Sequence, residues 1–306
     1  MINGDNILSL FERFWYFPQC IKNHFMERKL SITLKKPRLN FNKIQTCTGS
    51  PSRIACNTFW KSVDYEKISK SIGEELNFFD IGSGNGEYGN LMKNLSGNSF
   101  GSYAGIDIYK HNDYPLEFHH YLDDAKNISK YINKNINFII SQSSLEHIKD
   151  DRLVIEEVTR NLIKLNKRFL QIHMVPSAPS LYLYLWHGWR QYSLRNISNI
   201  SNKIKMISDD VEIFVIPIGG YKGFIVHLFT ITITSYYRKI ISYLIKKQKH
   251  NITSTINDKN KYNKINQRAV LSDLNNNSFS LNSFWAMIIK HKDVNFNLEN
   301  DDAKLS

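Results

Sequence analysis

The stretch Phe78-Phe79-Asp80-Ile81-Gly82-Ser83-Gly84-Asn85-Gly86-Glu87-Tyr88-Gly89 constrains the fold more than any other part of this chain. An apolar run ends in an acid, a glycine cluster follows at once, and then Tyr88, Leu91, Met92 and Leu95 recur at helical spacing. That order is a strand, a tight turn and a helix. Glycine takes positive φ at little cost and lets a ligand reach the main chain without meeting a Cβ. The first helical turn then offers unpaired N–H groups to that ligand.

Two registers overlap in this turn. Gly84-x-Gly86-x-x-Gly89 matches the dinucleotide fingerprint. Asp80-x-Gly82-x-Gly84-x-Gly86 resembles the first motif of S-adenosylmethionine-dependent methyltransferases. The acid at the strand end would repel a pyrophosphate but suits a cationic amino-acid moiety. Gly82 also follows the strand directly, which puts the first glycine of the dinucleotide register too late.

Downstream, strands and helical runs alternate, which argues a parallel sheet. Tyr103–Ile108 reads as the second strand, and Asp107 ends it 21 residues beyond Gly86. An acid there can accept two hydrogen bonds from a ribose diol. Glu117–Leu122 is a short strand followed by Asp123, Asp124 and Ala125 and a helix to about residue 133. Either acid can accept from an adenine amino group or cap the helix; Asp124 is the preferred candidate. Ile136–Ser141 is a buried strand, the run from Leu153 to Leu165 a helix, and 167–174 the fifth strand. The sixth is 211–217, and the last lies near 283–291. A single helix is expected over 60–76, ahead of the first strand.

At this point a resemblance is carried by the Asp-x-Gly-x-Gly-x-Gly turn, Gly105-Ile106-Asp107, Asp124-Ala125 and Ser144-Leu145-Glu146-His147-Ile148, in that order. They are similar to a class I S-adenosylmethionine-dependent methyltransferase of the small-molecule type. The resemblance implies a Rossmann-like, doubly wound, mostly parallel sheet of seven strands. It implies S-adenosyl-L-methionine as cofactor, held by Asp80, Gly82, Ser83, Gly84, Gly86, Asp107, Asp124 and Ser143. The runs 173–177 and 183–193 resemble methyltransferases encoded among bacterial surface-polysaccharide genes. That implies O-methylation of a saccharide or other surface-glycan precursor. Asn137 departs from the family, which usually has Asp before the fourth strand's apolar run; the position is more structural than catalytic.

A hydroxyl acceptor needs a base, and histidine is the default near neutral pH. His147, His173 and His187 follow the fourth strand, end the fifth, or lie just beyond it. Each also has a structural reading: a helix-start residue, a core histidine, and an orienter of the aromatics around it; His173 and His187 are the preferred bases. Tyr182, Tyr184, Trp186, Trp189 and Tyr192 are candidates for a sugar- or lipid-facing wall, or for core. No metal site is expected. The competing activities are N- or carboxyl-methylation of another small molecule, a nicotinamide-dependent reductase, and a non-catalytic scaffold on the same fold.

Four segments are expected: a basic, aromatic N-terminal extension (1–55), the methyltransferase core (56–220), a basic insertion or lid (221–282), and the last strand with an acidic, fraying tail (283–306). Phe11, Phe14, Trp15, Phe17 and Phe25 are read as one face of a helix in the extension. The charge of +12 sits on the flanks: +6 over 1–60 and +8 over 236–268, against −2 over 61–170. Such flanks suit an anionic partner, including peripheral contact with a membrane. No nucleic-acid module is recognisable. Residues 223–237 carry no Lys, Arg, Asp or Glu, yet the run is shorter than the ~18–20 residues of a spanning helix. Thr230–Thr234 alternates like a strand, residues 240–245 look helical, and 246–268 reads as polar and loose. Three cysteines without CxxC spacing and no signal peptide fit a cytoplasmic protein, and the basic flanks add peripheral placement at the inner face of a membrane as an expectation.

Overall fold

The computed structural model describes residues 32–37, 39, 41–184, 188–235, 237, 256–276 and 279–298, together with Phe11 and Pro18. Eight strands form one sheet: β1 (Thr33–Leu34), β2 (Leu76–Ile81), β3 (Phe100–Asp107), β4 (His119–Leu122), β5 (Phe138–Gln142), β6 (Leu170–Pro176), β7 (Val211–Ile218) and β8 (Phe284–His291). Their order is β1-β7-β8-β6-β5-β2-β3-β4. All pairings are parallel except those of β8, which runs antiparallel to β6 and β7. From β2 the chain winds outward through β3 to β4. From β5 it winds the other way to β6. The carboxyl ends of β2 and β5 therefore flank a crevice at the point where the winding reverses, the place where such sheets bind ligands.

The expected seven strands are all present. The eighth, β1, is a two-residue edge strand beside β7, continued by Lys35, whose N–H donates to the Val215 carbonyl at 2.9 Å. Its Nζ lies 3.6 Å from the Phe214 ring centroid. Two residues are too few to show a period in sequence.

Side chains alternate across a strand, and the sheet has a separate core on each face. Phe78, Phe138, Ile140, Ile172 and Met174 pack on one face, under α1 (Pro51–Ser62) and α2 (Tyr65–Ile72). Phe79, Ile81, Ile139 and Val175 pack on the other with α4 (Asp151–Lys164) and α5 (Leu194–Lys205), α3 (Glu87–Ser96) being the helix after the glycine turn. Each fully buried Phe contributes ~1.5–3 kcal/mol.

Several sequence expectations are corrected. The helix expected over 60–76 is two helices, because Ser50 caps α1 at the Arg53 N–H and Asp64 opens α2 by accepting from the Lys67 N–H. The helix after Asp124 is a 3-10 segment, Ala125–Lys130. Thr230–Thr234 is not a strand: α6 (Tyr221–His227) continues into a π-helical turn over Leu228–Ile233. Within the supposedly loose run 246–268, residues from 256 onward begin α7 (Ile256–Asn275). Its inner face holds Asn266, Ala269, Val270, Asp273 and Leu274, two of the five polar, which conceals the apolar period. The tail is fixed as far as Leu298, which bridges Val63. The aromatic face proposed for 14–25, residues 240–245 and the chain from 299 lie outside the described residues.

Candidate active site

The glycine turn is pinned to β3 by its own backbone. The Gly82 and Ser83 N–H groups donate to the Ile106 carbonyl at 2.8 and 3.2 Å. The Gly84 N–H donates to Asp107 Oδ2 at 2.8 Å, and Tyr109 N–H donates to Asp107 Oδ1 at 3.0 Å. Asp107 thus holds the turn with Oδ2 and the loop after its own strand with Oδ1, each oxygen keeping a further lone pair for a ligand. Gly82 and Gly84 have φ of +74° and +53°. A Cβ on Gly82 would lie 2.4 Å from Ser144 Cβ, so this glycine closes a contact between the two strand ends. A Cβ on Gly84 would meet nothing within 4 Å. The backbone there faces open space, as a ligand cradle must.

Asp80 lies behind the turn. It is 2% exposed; Tyr103 Oη donates to Oδ2 at 2.6 Å, while Oδ1 has no hydrogen-bond partner. Burial, helped by the charge of Asp107 and opposed by the Tyr103 hydrogen bond, pushes its pKa from 3.8 to about 7. A buried carboxyl lacking a countercharge is costly, and a ligand ammonium group would relieve it.

A cavity of about 320 Å³ opens beside the turn. Gly82, Asp107, Asp124, Ser143 and His147 line it. Asp124 both lines the cavity and caps the following 3-10 segment, its Oδ1 accepting from Lys126 N–H at 3.0 Å. The neighbouring Asp123 is committed to the fold. Tyr131 Oη, Asn127 Nδ2 and the Asp124 N–H donate to it, and these bonds pull its pKa down to about 2. Ser143 adopts φ +54°, unusual for a residue with a Cβ. Its hydroxyl donates to Glu146 Oε1 at 2.6 Å, and the hydroxyl of Ser144 donates to the Ile81 carbonyl. The loop after β5 is therefore folded onto the glycine turn. Ser83 is 6% exposed within the turn, and the Gly86 N–H closes it on the Ser83 carbonyl at 2.9 Å.

The three histidines separate. His147 lines the cavity, with Nε2 3.9 Å from the buried Glu146 carboxylate. His173 does not face the crevice. Strand parity turns it toward α4, where it is fully buried with Nδ1 2.9 Å from Ser141 Oγ and Nε2 3.2 Å from Gln171 Oε1. Burial lowers its pKa to about 3, so it stays neutral. His187 and Trp186 lie outside the described residues. Tyr192 is core: it is fully buried and its hydroxyl donates to Asp151.

The sheet face that carries Asp80 brings up residues that sequence reading missed. Trp60 Nε1 donates to Gln142 Oε1 at 2.9 Å, and the Trp60 ring stands edge-on to Tyr88, 6.3 Å away. Arg53 donates to Tyr88 Oη at 3.3 Å. Ser52 Oγ lies 2.9 Å from His227 Nδ1, with the Tyr184 ring edge-on to that histidine at 5.2 Å. Tyr88, two residues after Gly86, and Gln142, at a strand end, carried a positional signal. Ser52, Arg53 and His227 carried none, because only the docking of α1 and α6 brings them to this edge. Among the described residues no group of three or more His, Cys, Asp or Glu is placed to hold a metal ion.

No family model matches the chain, and no curated protein matches it. Solved structures do. One is an S-adenosylmethionine-dependent methyltransferase from Archaeoglobus fulgidus, at 17% identity and TM-score 0.42, with 79% of this chain and 95% of that one covered. Another is the plantazolicin methyltransferase BamL in complex with a triazolic desmethylPZN analog and SAH, at 13% identity and TM-score 0.45, covering 92% and 95%. Likenesses this loose carry no information on what the present chain binds or transforms.

Proposed function

We propose that this chain is an S-adenosylmethionine-dependent methyltransferase. The observation that carries the reading is the pairing of an open backbone cradle at Gly84 with two acids of different environment, Asp80 buried without a countercharge and Asp107 at the cavity wall. A dinucleotide pyrophosphate would bring more negative charge to Asp80; a sulfonium amino acid brings an ammonium. When bound, S-adenosylmethionine supplies an electrophilic methyl group on a sulfonium centre. Asp107 then accepts from the ribose hydroxyls, Asp124 from the adenine amino group, and Asp80 holds the ammonium. Arg53 and Tyr88 offer donors to the carboxylate of the same ligand.

Methyl transfer needs alignment of acceptor and donor more than activation of the donor, and positioning supplies up to ~7–11 kcal/mol in model reactions. In this reading α1, Gln142 and Tyr184 position the acceptor, and His147, which lines the cavity, takes its proton as the base. We propose a hydroxyl of a saccharide or other surface-glycan precursor as acceptor. The support is the sequence resemblance over 173–177 and 183–193 and the half-buried rings of Tyr88 and Tyr184 at this edge.

Calorimetric titration with S-adenosylhomocysteine and with NADH tests the cofactor assignment. Binding of the first and not the second is expected; the reverse overturns the proposal. Mass spectrometry of surface glycans from cells with and without the protein tests the acceptor. The expected result is loss of a mass increment of one CH2 group.

A further inference from the structure

The insertion between β7 and β8 begins as a helix that beyond His227 exposes chiefly apolar side chains. α6 is anchored by His227 against Ser52, and the next turn by Thr232, whose hydroxyl donates to the Leu183 carbonyl at 3.0 Å. Thr232 is 7% exposed. Around and beyond it the chain faces solvent: Phe229 is 58% exposed, Ile231 37%, Ile233 45% and Tyr237 62%. Tyr182, next to the carbonyl that holds Thr232, is 42% exposed. A solvated helix surface normally carries charge. Here residues 223–237 contain no Lys, Arg, Asp or Glu. Phe229, Ile233 and Tyr237 recur at four-residue spacing and share one face of the helix; apolar side chains of this size on one exposed face mark a contact surface.

Charge complementarity selects the occupant. The chain following this tip, 238–255, contains Arg238, Lys239, Lys246, Lys247 and Lys249 and no acid. Apolar side chains beside a run of cations match the interface of an anionic bilayer: rings and aliphatic groups enter the headgroup boundary while the cations meet lipid phosphates. Among the described residues no helix is long and apolar enough to cross a membrane.

Placement gives the contact a purpose. β7 runs parallel to β6, both pairing antiparallel to β8, so α6 starts from the same carboxyl edge of the sheet as the glycine turn. Thr232 meets Leu183 in the segment that follows β6 at that edge. We propose that the helix face formed by Phe229, Ile233 and Tyr237 docks on an anionic lipid surface and turns the crevice toward it. An acceptor carried on lipid would then meet the site by diffusion in two dimensions. The docking itself is independent of which cofactor the crevice binds.

Flotation of the full chain tests this, using vesicles of phosphatidylcholine alone and vesicles that also contain phosphatidylglycerol. The protein is expected to float with the second and not the first, and binding is expected to fall about tenfold or more as salt rises toward molar concentration. The triple variant Phe229→Ser, Ile233→Ser, Tyr237→Ser is expected to lose about tenfold or more in vesicle binding. Its affinity for S-adenosylhomocysteine and its thermal midpoint are expected to match the parent's, which separates lost docking from lost fold or cofactor site. Protein that stays at the bottom of the gradient at low salt overturns the proposal. So does equal binding to both vesicle types, or a triple variant that floats like the parent. A dimer in sedimentation that the triple variant abolishes, without flotation of the parent, would assign the tip to a second copy of the chain instead.

Discussion

The two sides of the crevice are built differently. The side at β3 and β5 comes from one continuous stretch, 78–150, whose parts grip each other: Gly84 to Asp107, Ser144 to Ile81, Ser143 to Glu146. The other side is assembled from α1, α6 and α7, which join opposite ends of the chain: Ser52 to His227 and Asn266 to Gly49. The first is local and interlocked. The second is modular, joined by polar contacts over the core that Ile54, Phe59, Val270 and Leu274 share. The same physical change should therefore have different consequences on the two sides.

The largest effect is expected at Gly82. A Cβ there meets Ser144 at 2.4 Å in a left-handed conformation, so Gly82→Val should cost about 3 kcal/mol or more in stability and abolish cofactor binding with it. Gly84→Val is the counterpart. Its Cβ enters open space, so the fold should lose only about 1–2 kcal/mol for the positive φ, while cofactor affinity disappears. Thermal denaturation beside calorimetry separates the pair. Equal destabilisation by both would show that the Gly84 cradle is structural.

The next effect compares two histidines. His173→Ala removes a neutral ring from the core and strands Ser141 and Gln171 without their partner, at about 1–3 kcal/mol of stability. His147→Ala should leave stability within about 0.5 kcal/mol and lower turnover about a hundredfold or more. The pH dependence of stability follows from the His173 shift. Its folded pKa of about 3 is below the ordinary 6.5, so its contribution is complete above 6.5 and lost as pH falls through 6.5 toward 3. A His147→Ala variant with full turnover across pH 6–8 would end its candidacy as base.

Asp80 sharpens the comparison by pH. Its folded pKa of about 7 is above the ordinary 3.8, so the stability associated with its neutral form is complete below 3.8 and lost as pH rises from there to about 7. A bound ammonium favours the ionised form. Binding below pH 7 should then release a proton, and S-adenosylmethionine affinity should rise as pH increases through 6–8. Asp80→Asn should remove that slope. A slope that persists in the variant would place the proton elsewhere.

How much of this was legible follows from the same contrast. β2 through β6, the glycine turn, Asp107 and Asp124 could be read because strand parity and turn chemistry are local. His173 shows the limit even there: its position at a strand end suggested the crevice, but one step in parity sends a side chain to the opposite face. The layer of α1, α6 and α7 was poorly legible. Thr230–Thr234 has the period of a strand, yet the hydroxyls of Thr230 and Thr232 donate to the carbonyls of Val226 and Leu183, which suits a helix packed on a loop. α7 carries polar residues on its buried face, and neither Arg53 nor Ser52 has any sequence mark that ties it to Tyr88 or His227.

The smallest effect is expected at Asp273, and it tests the modular side directly. Its two oxygens accept from the Lys222 and Gly223 N–H groups at 2.8 and 2.7 Å, so α7 supplies the N-terminal cap that α6 lacks in its own sequence, where Gly220 stands. Asp273→Ala should cost about 1 kcal/mol, the usual worth of such a cap. The loss should be confined to α6 and the chain it carries toward Thr232. Hydrogen exchange is expected to quicken over 221–235 while the amides of the glycine turn keep their protection. Affinity for S-adenosylhomocysteine should not change, because Asp107 and the β5 loop hold the cradle without help from α7. If exchange quickens in the glycine turn as well, the two sides are one cooperative unit, and the interlocked side depends on the modular one for its shape.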